Sequence, residues 1–117
     1  MLKDWEIAEH RTAMFWEGQL QPGSGNTKFK KNDVVTNNEM ISVKQTEKES
    51  YSIKLKDLNI LKRQAMIEGK KPHKVIQFGG ITHSRFVVLP EDDYLFLRSL
   101  LKELSGDNTR KNDQRAR

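Results

Sequence analysis

"DVVTNNEMISVKQT", residues 33–46, is the stretch on which the fold turns. Val34 and Val35 form a short β-branched run, and Asn37-Asn38 tolerates the positive φ of a tight turn. Residues 39–45 then return as a second strand, so the segment predicts a β-hairpin. On the returning strand Ser42 and Lys44 lie two apart and share one face of the pleat, while Val43 points to the other. A cation and a hydroxyl side by side at a strand end invite a chemical reading, and the rest of the chain is read with that in mind.

Upstream, residues 3–17 predict a helix. Trp5, Glu9, Thr12, Ala13 and Trp16 recur at three- and four-residue spacing, and Gly18 is a natural stop. Pro22 with Gly23 and Gly25 breaks any helical continuation. Downstream, "SYSIKL" (50–55) predicts a short extended piece that runs into a helix over 56–68. Leu58, Leu61 and Ala65 form that helix's buried stripe, with Lys56, Lys62 and Arg63 outward and Gly69 ending it. "HKVIQF" and "SRFVVL" predict two strands around Gly79-Gly80. A last helix follows Pro90, with Glu91, Asp92 and Asp93 in its first turn and Tyr94, Leu97, Leu101 and Leu104 as its apolar stripe. The expected order is α-β-β-β-α-β-β-α, an α/β fold with a mixed sheet flanked by helices. Residues 1–104 are expected to form one domain. The stretch 105–117 has almost nothing to bury and reads as a basic, disordered tail.

Composition bounds the function. At 117 residues without cysteine the chain has neither disulfides nor thiolate metal sites. It has no apolar run of membrane-spanning length and no signal-peptide core, which predicts an intracellular, cytoplasmic protein. The net charge of +5 is not evenly spread: residues 44–74 carry nine basic and four acidic side chains, a surplus of five, while residues 1–43 net −1 and 75–117 net +1. A concentrated basic region is a polyanion footprint, and also what a solvated lysine-rich face looks like. The residues expected to track phosphates are Lys28, Lys30, Lys31, Lys48, Lys54, Lys56, Lys62 and Arg63. His10, His73 and His83 lack metal-ligand spacing and read as surface or strand-end histidines. The glycine-rich loop has no Gly-Lys-Ser/Thr ending, so nucleotide triphosphate binding is rejected.

Three residues stand out chemically. Asp33 opens a strand after a basic run and could offer a hard oxygen to a divalent cation, as well as being an ordinary turn aspartate. Lys44 lies on the next strand, and Glu9 interrupts an apolar helical stripe. Taken in order, the glutamate-bearing helix, "GQLQPGSG" (18–25), "KKNDVV" (30–35), "VKQT" (43–46), "SYSIKL" and the loop Gly69-Lys70-Lys71-Pro72 resemble a family. The pattern is similar to the phage-type Holliday junction resolvases of the PD-(D/E)xK nuclease superfamily, over about residues 5–90.

That resemblance implies a restriction-endonuclease-like core, and a homodimer that cuts branched DNA in recombination, in a protein of phage or prophage origin. It implies Mg²⁺ or Mn²⁺ held by Asp33, by the Val43 carbonyl and, through water, by Glu9. Lys44 would orient the attacking water or stabilise the phosphorane. Ser24 would lie near the scissile phosphate, and Gln45 follows the lysine as polar residues do in the family. The chemistry agrees, since phosphodiester hydrolysis profits from a cation and a fixed ammonium.

Ser42 departs from the pattern. It stands where the family's E-x-K glutamate belongs, and a hydroxyl does not replace a carboxylate's charge. The alternative reading is a DNA-binding protein on the same fold that has lost cleavage. Glu39 points to the other face of the strand, while Glu47 and Glu49 lie beyond it and would have to reach back. The missing charge predicts that Ser42→Glu gains Mg²⁺-dependent nicking.

Overall fold

The computed structural model describes residues 2–21, 33–80 and 83–106. It is a mixed α/β fold with three helices and one five-stranded mixed sheet. Helix α1 (Asp4–Phe15) is followed by β1 (Gln19–Leu20), β2 (Val34–Val35) and β3 (Glu39–Thr46). Helix α2 (Leu55–Ile67), β4 (Lys71–Phe78), β5 (Ser84–Val88) and α3 (Glu91–Ser105) complete it. The strands lie in the order β1-β2-β3-β4-β5, and only the β3–β4 pair is parallel. That parallel pair needs a crossover, and α2 supplies it.

The expected hairpin forms, with Val34 opposite Ile41 and Val35 opposite Met40. Thr36 N–H donates to the Glu39 carbonyl across the Asn37-Asn38 turn. The segment 50–55 corrects the sequence reading: residues 51–54 are not strand and helix α2 has begun at Leu55. The sheet's further strand is instead Gln19–Leu20, which follows α1 directly and pairs with β2. Gly18 makes that step possible, because a Cβ there would lie 2.8 Å from both Val34 Cγ1 and the Val35 carbonyl oxygen.

Alternation along β3 sends side chains to two cores. Ile41 and Val43 join Ala8, Val34 and Val75 beneath α1, with Ala13, Trp16 and Leu20 packed against them. Met40 joins Leu61 and Ala65 of α2, with Val35 alongside. Each fully buried aliphatic side chain contributes about 2–3 kcal/mol. Helix α1 packs through its small residues, Ala8 and Thr12, and not through Trp5, which is 48% exposed. Small side chains let the helix approach the sheet closely, so the buried stripe lies to one side of the expected one.

An Arg85 guanidinium from β5 fastens α1 to the sheet by donating to Gln77 Oε1 (2.6 Å) and Thr12 Oγ1. His73 is buried rather than exposed, edge-on to Trp16 at 5.2 Å between ring centroids. The final helix departs most from expectation: none of its residues is buried, and the stripe Tyr94, Leu97, Leu101 and Leu104 faces outward.

Candidate functional site

The site is built where the short β2 stops and β3 runs on. Asp33 immediately precedes β2, and its N–H donates to the Ile41 carbonyl while its own carbonyl accepts from Gln21 N–H. This fixes the backbone, and the carboxylate turns along the edge of β3, where Oδ2 accepts the Val43 N–H at 2.6 Å. Asp33 is 5% exposed. The N–H and C=O of a strand residue leave on the same edge, so the Val43 carbonyl points the same way.

Glu9 approaches from α1, one position past the buried Ala8. Its carboxyl group is pushed up from 4.5 to about 7, first by burial, then by the Asp33 charge and by a hydrogen bond to the Asp33 side chain. The protonated form of Glu9 donates that bond. Lys44 is close enough for its charge to pull in the opposite direction. Glu9, Asp33 and Lys44, far apart in sequence and borne by a helix, a strand entry and a strand, therefore converge. Two neighbouring carboxyl groups, one of them held protonated by its surroundings, are an arrangement in which a divalent cation can take the place of the proton.

Ser42 is half-buried on β3. The β3–β4 register sets Lys74 beside it. Lys74 is 4% exposed, with its ammonium 5.7 Å from the centre of the Tyr51 ring. The position the family gives to an acid is therefore a small hydroxyl flanked by a buried lysine. Sequence patterning missed Lys74 because a lysine in an apolar run looks like surface, and only the parallel register reveals its neighbour.

The other expected site residues are placed as follows. Gln45 ties β3 to the turn after β4, its amide donating to Glu47 Oε1 (2.9 Å) and the Gly79 carbonyl (3.3 Å). Glu47 and Glu49 are exposed, and Glu39 bonds Thr36 at the start of β3. Ser24, Lys28, Lys30 and Lys31 lie outside the described residues. Lys48, Lys54, Lys56, Lys62 and Arg63 are all exposed, on and before α2. Lys70 and Lys71 of the same basic stretch are engaged by the protein, Lys70 with the Asn37 carbonyl (3.3 Å) and Lys71 with Asp93 (3.3 Å).

As donors, the Asp33 and Glu9 carboxylates and the Val43 carbonyl are hard oxygens suited to one Mg²⁺ or Mn²⁺ with water completing its shell. Among the described residues no group of three His, Asp or Glu side chains is gathered to hold a metal ion. Comparison with protein-family models gave no match, and comparison with curated proteins gave none.

Proposed function

We propose that this chain is a structure-selective endodeoxyribonuclease of the resolvase type, directed at phosphodiester bonds of branched DNA. The observation that carries the reading is the meeting of Glu9, Asp33 and Lys44 at one strand edge. The sequence resemblance gives roles to these same three residues.

In this reading Asp33, Glu9 and the Val43 carbonyl hold one divalent cation. When bound, that cation supplies charge neutralisation at the phosphate and a more acidic water. The protein's own residues do the rest. The Val43 N–H fixes the Asp33 carboxylate, so the acid needs no reorganisation. Glu9 gives up its proton as the site charges. Lys44 lies within electrostatic reach of Glu9, and an ammonium there would stabilise charge developing on phosphate oxygens. The exposed Lys48, Lys54, Lys56, Lys62 and Arg63 supply salt-dependent backbone contacts largely blind to sequence. Paired nicks across a two-fold symmetric junction call for two copies of the site, hence a homodimer.

A specific observation favours a second reading. The buried Lys74 stands beside Ser42, the position where the resemblance would place a second acid. Such a site holds phosphate without an obligatory cation, and the protein would bind branched DNA without cutting it.

The test is cleavage of a labelled four-way junction beside a matched linear duplex, with Mg²⁺ or Mn²⁺, comparing the protein with Lys44→Ala. Paired nicks at the junction that fall by about 10²–10³ in the variant support the nuclease. Junction binding without nicks under either metal establishes the second reading. Neither binding nor nicking at low salt rejects both.

A further inference from the structure

We infer that α3 is a self-association surface, and that its partner is α3 of a second copy of this chain, antiparallel to it. This inference rests on the helix alone and stands or falls independently of the nuclease reading.

Tyr94, Leu97, Leu100, Leu101 and Leu104 are between 39% and 86% exposed. At 100° per residue all five fall within one arc of about 120°, a continuous stripe rather than scattered apolar residues. Among the described residues the helix is held near its start, where Lys71 pairs with Asp93 (3.3 Å) and lies over the Phe96 ring (5.8 Å). An amphipathic helix with no buried residue leaves its apolar face without the burial that normally stabilises it.

What covers the stripe follows from its chemistry. Nucleic acid does not suit it, since phosphates meet lysines and not leucines. A second α3 does, and its charges choose the direction. The first turn carries Glu91, Asp92 and Asp93, while in the last turn Lys102 is followed by Glu103, with Arg98 one turn earlier. Parallel pairing would oppose acid to acid. Antiparallel pairing keeps the two acidic first turns apart and opposes the two helix dipoles favourably.

The area is sufficient. At roughly 100 Å² of exposed surface for each of these large side chains, the pair removes about 1,000 Å², the lower bound for a specific interface. The interface is isologous and closes at two copies, so it predicts a dimer and not a filament.

Sedimentation velocity on the full chain at about 50 μM tests this. The expected mass is twice the 13.6 kDa of one chain. Leu101→Glu, at the centre of the stripe, is expected to return it to a monomer, as is Leu97→Glu. Ile67→Glu, at an exposed apolar position on α2, is expected to leave the dimer intact. Both α3 positions are exposed, so unchanged circular dichroism should accompany the loss of mass. A monomeric wild type overturns the inference, and so does a dimer that survives both α3 substitutions. Junction binding by a monomeric wild type would overturn the interface, and with it the homodimer of the functional reading, while sparing its DNA binding. A dimer blind to DNA would do the reverse.

Discussion

Glu9→Gln is the most informative single perturbation. In the folded protein the Glu9 carboxyl is pushed up from 4.5 to about 7, chiefly by burial and then by Asp33. A folded value above the unfolded one means that the ionised form is disfavoured in the fold. The stabilisation is complete below about pH 4.5, declines as the pH rises, and is gone above about pH 7. At 1.36 kcal/mol per pH unit the full span is about 3 kcal/mol. Glu9 is only half-buried and solvent screens part of the interaction, so about 1–2 kcal/mol is the realistic amount. Glutamine keeps the shape and the donated hydrogen bond of the protonated acid but does not ionise. The assay is thermal unfolding of both proteins between pH 4.5 and 8 in chelator. The variant should match wild type near pH 4.5 and exceed it at pH 8 by about 5–10 °C. Other titrating groups are common to both proteins and cancel in the difference. Adding Mn²⁺ at pH 8 should restore stability to wild type, and should do much less at pH 5, where the proton competes. Superimposable pH profiles for the two proteins would refute the carboxyl pair, and with it the case for a cation at this edge.

Further outcomes can be checked independently. Ser42→Glu alone is expected to gain little Mn²⁺ affinity by titration calorimetry, because the new carboxylate meets Lys74, its register neighbour. Ser42→Glu combined with Lys74→Met should bind the metal measurably, and equal binding by single and double variants would deny Lys74 this influence. The buried His73 has its pKa lowered, first by desolvation, against the opposing pull of Glu39, a backbone hydrogen bond at Lys71 and Asp93. The associated stability should therefore be intact above about pH 6.5 and drain away as the pH falls further, a slope that His73→Phe removes in acid unfolding curves. Leu61→Ala empties the space beside Met40 and Ala65 and should cost about 2–4 kcal/mol in denaturant unfolding. Gly18→Ala drives a Cβ into Val34 and the Val35 carbonyl and should cost about 1–3 kcal/mol, although glycine flexibility alone would predict a gain.

Local rules were enough wherever a segment's structure depends on itself. The Asn37-Asn38 turn between β-branched runs specified the β2–β3 hairpin, and Leu61 with Ala65 at helical spacing specified the buried side of α2. The roles expected of Glu9, Asp33 and Lys44 rest on the resemblance, and the fold adds that Asp33 accepts the Val43 N–H and that Glu9 lies near Asp33. The segment 50–55 was misread because alternating side chains look like a strand even when no neighbouring strand pairs with it. Gln19–Leu20 was passed over because two residues make no periodic signal, and only pairing with β2 makes them a strand.

Sequence by itself determined the hairpin, the helices and the identity of the acids and the lysine, since these follow from local backbone preference and side-chain chemistry. Tertiary structure decided that Glu9 lies close enough to Asp33 for its carboxyl to be pushed up, and that Lys74 stands beside Ser42. It also decided that the leucines of α3 face outward. Each of these depends on strand register and helix placement across dozens of residues, where distance and burial, rather than spacing along the chain, set the energy.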